Sequence, residues 1–164
     1  MQQLLTQKAA EIVNLLNKKN MTVATAESCT GGLLSALITS VSGASAVFGL
    51  GVCSYSADAK INVLGVEGQT VEKYGTVSEF TAMEMAESVR RLANADFGLS
   101  VTGCAGPSPT ENKPVGRVYI ALSDKNKTIY KELNIENNGR DYIRYSTASE
   151  IFDLMINHLK LEEN

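Results

Sequence analysis

Ala24-Thr25-Ala26-Glu27-Ser28-Cys29-Thr30-Gly31-Gly32 is the stretch on which the fold turns. It follows on a short apolar strand, Met21 to Thr25, passes through hydroxyls and glycines, and enters a helix predicted from Gly31 to about Ser40, with Leu33, Leu34, Ala36 and Leu37 as its apolar positions. A strand feeding a helix through so short a turn is the repeating unit of α/β proteins. A helix N-terminus leaves N–H groups unpaired beside roughly half a positive charge, which suits a phosphate, a carboxylate or a developing oxyanion. Ser and Thr are also ordinary helix caps, so the turn reads as a cap as well as a site.

The same pattern continues on both sides. Upstream, Leu4, Leu5, Ala9, Ile12, Val13, Leu15 and Leu16 recur at helical spacing, and Lys18-Lys19-Asn20 closes that helix. Downstream, Ala46 to Tyr55 reads as a buried strand with glycines for close packing, and Ser56-Ala57-Asp58-Ala59-Lys60 starts another short helix with Ser56 as its cap. A turn-rich stretch through Gly65, Gly68 and Gly75 leads to Ser78, the predicted cap of a long helix carrying Met83, Met85, Ala86, Val89, Leu92 and Ala93. Phe97 to Thr102 is a strand that opens into Gly103-Cys104-Ala105-Gly106-Pro107. Val115 to Leu122 and Thr128 to Ile135 form an antiparallel hairpin about Ser123-Asp124-Lys125-Asn126-Lys127, and a last helix runs from about Asp141 to Lys160 with Ile143, Ile151, Leu154, Met155 and Leu159 inward. The expectation is an α/β sandwich with a mixed sheet. Ligands in such sheets gather beyond the carboxyl ends of strands, and three suspect loops lie there: Ser28 to Gly32, Tyr55 to Lys60, and Gly103 to Ser108.

The 164 residues suit a single domain over 1–164 that buries roughly two thirds of its unfolded surface. A net charge of −3, from 15 basic and 18 acidic residues, offers no global attraction to nucleic acid or anionic lipid. Cys29, Cys53 and Cys104 are odd in number and widely spaced, pointing to reduced thiols in a cytoplasm and not to a disulfide framework. No metal is expected, because the one histidine, His158, is remote from every cysteine. Neither a signal peptide nor a membrane span is read from the chain.

With a single histidine in the last helix, hydroxyl activation by imidazole is disfavoured. A lysine whose pKa is lowered by burial remains as a base, and Lys60 is the candidate, with Tyr55 five residues earlier as a proton relay. Lys60 also reads as a solvated helix lysine and Tyr55 as a strand-end aromatic. Cys29 rivals Ser28 as a nucleophile, but it, Cys53 and Cys104 are read as small buried residues. Glu27 orients a hydroxyl or a lysine, or enters an ion pair at the turn. The Gly103 to Gly106 loop suits an anion or is only a loop. Arg140 and Arg144, four apart on one helical face, suit a phosphate or a carboxylate, or stand solvated. Lys113 and Arg117 add charge near the same end of the sheet.

No one of these features is specific, but their order is. Ala26-Glu27-Ser28-Cys29-Thr30-Gly31-Gly32, Ser54-Tyr55-Ser56-Ala57-Asp58-Ala59-Lys60, Gly75-Thr76-Val77-Ser78-Glu79, Thr102-Gly103-Cys104-Ala105-Gly106-Pro107 and Lys113-Pro114-Val115-Gly116-Arg117-Val118-Tyr119-Ile120-Ala121 together resemble the CinA C-terminal-domain family, from about Leu4 to Leu159. The resemblance implies a three-layer α/β/α sandwich with a mixed, mostly parallel sheet, and a homodimer or higher homo-oligomer. Active members of that family deamidate nicotinamide mononucleotide to nicotinate mononucleotide and ammonia in pyridine nucleotide salvage, without a cofactor. By that resemblance Ser28 is the nucleophile, Lys60 its base and Tyr55 the assisting phenol. Thr30, Gly31 and Gly32 would then offer oxyanion amides, and Gly103, Ala105, Gly106 and Arg140 or Arg144 would hold the ribose phosphate. Some relatives carry an extra N-terminal domain similar to molybdopterin-binding proteins, whose pyrophosphatase activity is not implied here. Ala57 replaces a usual Asn, and Ser108-Pro109-Thr110-Glu111-Asn112 is more polar and stiffer than the family's glycine-richer loop. The alternative is a catalytically silent module binding a nucleotide or phosphosugar.

Overall fold

The computed structural model describes residues 1–161, so the last three residues of the single-domain reading lie outside it. Among the described residues, helices cover both faces of a five-stranded sheet ordered β2-β1-β3-β4-β5. In chain order these are α1 (Gln2–Lys19), β1 (Val23–Glu27), α2 (Leu33–Thr39), β2 (Phe48–Cys53), α3 (Ala57–Ala59, continued by a wider π turn, Lys60–Leu64), α4 (Gly68–Tyr74), α5 (Glu79–Ala93), β3 (Phe97–Gly103), β4 (Arg117–Ser123), β5 (Thr128–Asn134) and α6 (Arg140–Leu161). β1 pairs in parallel with β2 and β3, whereas β4 is antiparallel to both of its neighbours. This is the expected α/β/α sandwich with a mixed sheet, but the sheet is not mostly parallel: two pairings are parallel and two antiparallel, because β4 and β5 add as a hairpin beside β3.

The period-two alternation of the strands sorts large from small side chains. Val23, Leu99, Val101, Val118, Ile120 and Leu122 pack under α1, α2 and α6, with Leu5, Ile12, Leu34, Ile151 and Phe152 among the buried partners. Their neighbours Ala24, Ala26, Gly98, Ser100 and Ala121 face α5. The small residues let α5 sit close: the Ser100 hydroxyl donates to the Ala82 carbonyl, and a Cβ at Gly98 would run into the Ala86 carbonyl oxygen. Because the β1-to-β2 crossover carries α2 over one face and the β2-to-β3 crossover carries α5 over the other, a crevice opens at the carboxyl ends of β2, β1 and β3.

Most predicted element ends hold. Asn20 closes α1 in the left-handed region, and the Ser56 and Ser78 hydroxyls accept from the Ala59 and Thr81 amides as caps. Four readings are corrected. Residues 68–74 of the turn-rich stretch form α4. β2 is a half-exposed edge strand, which leaves Cys53 exposed although it was read as buried. Leu92 points outward from α5. α2 starts at Leu33, not Gly31, because Gly31 and Gly32 both adopt positive φ.

Candidate active site

Ser28 is the first residue past β1, and its amide donates to the Val101 carbonyl of β3, which fixes where the hydroxyl emerges. Lys60 comes from beyond β2 and reaches back beneath it. Its side chain is 1% exposed, and its Nζ lies 3.0 Å from Ser28 Oγ and donates to the Ser54 carbonyl at 2.7 Å. Burial disfavours the ammonium and lowers the Lys60 pKa to about 8, against upward pulls from Cys29 and Glu111. Of the two readings of Lys60, the buried one is observed.

Next to this pair is a cavity of about 200 Å³ lined by Ser28, Tyr55, Thr76, Gly106, Thr110 and Arg140, together with Cys29 and the Gly103 to Ala105 backbone. All three suspected loops border it. Cys29 is no rival nucleophile: burial pushes its thiol up to about 12, so thiolate is scarce. Among the described residues no cluster of three His, Cys, Asp or Glu side chains gathers as metal ligands would, and no helix is long and apolar enough to cross a membrane.

Several residues are placed otherwise than expected. Glu27 does orient a hydroxyl, one of its readings, but the hydroxyl is that of Ser35 in α2 and not a group of the cavity. Fully buried, its carboxylate accepts the amides of Gly32, Leu34 and Ser35 and the Ser35 hydroxyl, at 2.8 to 3.1 Å. The protein itself therefore supplies the anion for the α2 N-terminus. The Gly31 amide donates to the Ser28 carbonyl. Of the three amides expected to receive an oxyanion, the one at Thr30 is left uncommitted by these bonds, and the buried Thr30 hydroxyl also has no hydrogen-bond partner among the described residues.

Tyr55 borders the cavity but is 66% exposed, and its phenol accepts from Arg140 at 2.8 Å instead of meeting Lys60. Arg140 also donates to the Gly106 carbonyl at 2.6 Å, bridging the loops beyond β2 and β3. Arg144 does not line the cavity. It donates to the Thr30 carbonyl at 2.9 Å and pairs with Asp141, holding the Ser28 turn from behind. Arg117 is drawn off to Glu132 and Asn134.

Ser108, the end of the third suspected loop, also walls the cavity, as do Thr76, Val77 and Thr110, which local pattern does not mark. Thr76 and Val77 belong to the Gly75 to Glu79 motif, whose distinctiveness was the available signal.

Residues 5–159 match the family model described as the CinA C-terminal domain. The chain is 52% identical over 149 residues to a competence-damage inducible protein of Thermoanaerobacter pseudethanolicus, covering 90% of this chain and 36% of that one. It is 53% identical over 142 residues to another of that name from Acetivibrio thermocellus, with coverage of 86% and 34%. The chain thus spans about a third of the length of these curated relatives. Among solved structures, the competence/damage inducible protein CihA of Agrobacterium tumefaciens matches with a TM-score of 0.91 at 35% identity over 96% of both chains. A CinA superfamily protein of Klebsiella pneumoniae matches with a TM-score of 0.92 at 26% identity, covering 95% of this chain and 98% of its own. The match of the family model over 5–159 and the shared fold of the solved neighbours agree, and the chain belongs to the CinA C-terminal domain family.

Proposed function

We propose that the protein is an amidohydrolase that converts nicotinamide mononucleotide to nicotinate mononucleotide and ammonia. The observation that carries this reading is a buried lysine amine, with its pKa lowered to about 8, hydrogen-bonded to a serine hydroxyl at the edge of a cavity. Neutral Lys60 takes the Ser28 proton as Oγ bonds to the carboxamide carbon. The tetrahedral intermediate collapses with cleavage of the C–N bond, and the lysine proton leaves with ammonia. Water, deprotonated by the same amine, then releases the acid from the acyl-enzyme.

Thr30 supplies an oxyanion amide in this reading, a donor of the kind worth about 3 kcal/mol in acyl transfer. The ribose phosphate is held by Arg140 with the Ala105 and Gly106 amides, and Arg144 positions the turn. Tyr55 serves by steadying Arg140. The active species is a homodimer or larger homo-oligomer working in the cytoplasm.

Offering nicotinamide, its riboside and its mononucleotide side by side, with ammonia as the readout, tests the assignment. The expected order is mononucleotide far above the other two, by about 100-fold or more for loss of the charged contacts. Equal rates would remove the phosphate site from the account, and binding of the mononucleotide without ammonia release would favour the silent module.

A further inference from the structure

The Gly75-Thr76-Val77-Ser78-Glu79 motif has no catalytic task in the mechanism above, yet it is held from several directions. Thr81 donates to the Gly75 carbonyl, Thr102 at the end of β3 donates to the Thr76 carbonyl, and Thr76 and Val77 face the cavity. A third hold comes from the opposite wall. Thr110 and Lys113 pair backbone to backbone across a two-residue turn, Glu111-Asn112, and both turn residues are left-handed, with φ of 47° and 58°. Glycine or asparagine is favoured in such a turn, and a glutamate there bears a steric cost. That backbone directs the Glu111 carboxylate across to the Thr76 hydroxyl at 2.6 Å and the Val77 amide at 3.2 Å. It also passes beside Gly75, where a Cβ would strike Glu111 Oε2. An unfavourable residue is thus kept where its side chain joins two walls of one cavity.

We propose that Glu111 is a positioning residue for the Ser28–Lys60 site: it clasps the 107–113 loop to the 75–77 turn, fixing the width of the substrate cavity, and lends that wall a negative charge. The Glu111 carboxylate acts on the Lys60 amine and favours the ammonium, whereas Cys29 of the Ser28 turn, also within reach, stays a neutral thiol below about pH 12. The clasp therefore couples substrate fit to the proton affinity of the base.

This inference rests on the reading of Lys60 as the base, and two variants separate the failures. Glu111→Gly gives the left-handed position its preferred residue, so the melting temperature stays within about 2 °C while the clasp is lost. KM for nicotinamide mononucleotide is expected to rise about tenfold with kcat changed less than about threefold. Glu111→Gln keeps an acceptor for Thr76 and restores most of KM, but removes the charge. In protein labelled with 13C at lysine Cε, with the Lys60 resonance assigned by its loss in Lys60→Met, the Lys60 midpoint is expected to fall by roughly half a pH unit in Glu111→Gln. An unchanged KM in the glycine variant, or an unmoved midpoint in the glutamine variant, would overturn the role of Glu111. The titration needs no substrate, so an ordinary lysine midpoint in the wild type would count against the base reading, while the difference between wild type and variant still decides the role of Glu111.

Discussion

Ser28→Ala and Lys60→Met are each expected to lower the turnover of nicotinamide mononucleotide by about 10⁴-fold, and the double variant by no more than either alone, since nucleophile and base act as one unit. The hydrogen bond of 3.0 Å between Nζ and Oγ is the geometric reason. Without the amine, the alcohol keeps its proton; without the alcohol, the amine has nothing to activate. Lys60→Arg does not rescue, because guanidinium stays charged at any working pH and cannot take a proton. Ammonia release by the purified variants checks this, with circular dichroism confirming the fold. Multiplying losses in the double variant would mean that the two residues serve separate steps.

The second large effect falls on stability. Glu27→Gln is expected to destabilise the fold by about 4 kcal/mol, roughly 10 °C in melting temperature for a chain of this size. The carboxylate accepts four hydrogen bonds in a site with no water access, three of them from the amides of Gly32, just before α2, and of Leu34 and Ser35 in its first turn. A carboxamide turns an NH2 group toward those donors, leaving buried amides unpaired and removing the charge that complements the helix dipole. Chemical denaturation of both proteins measures the difference. A loss under about 1 kcal/mol would show that the α2 N-terminus does not depend on Glu27.

These two residues mark what could be read in the chain and what could not. Ser28 and Lys60 were legible because the strand–turn–helix pattern places Ser28 beyond a strand end, and the scarcity of histidine leaves a lysine as the base. Their contact across 32 residues was not local information; the family motif order carried it. The capping role of Glu27 was not legible because capping rules look to the residues adjoining a helix, whereas this cap reaches from the end of β1 to amides five, seven and eight residues on. The Tyr55 relay failed for a related reason: Arg140, 85 residues away, bonds the phenol. α4 was hidden by Gly68 and Gly75, which bracket a helix too short for a clear period. Cys53 was misjudged because an apolar strand reads alike at the centre of a sheet and at its edge, and β2 has a neighbour on one side alone among the described residues.

Labelling of Ser28 by a small sulfonyl fluoride, followed by mass spectrometry as a function of pH, reaches the central claim without any assumption about substrate. A Lys60 amine with a pKa near 8 is about one-tenth neutral at pH 7, so the labelling rate is expected to climb about tenfold between pH 7 and a plateau above 9, with half-rise near 8, and to become slow and without that half-rise in Lys60→Met. The adduct should map to Ser28. A wild-type rate with no half-rise near pH 8, or one that survives Lys60→Met unchanged, would contradict the account.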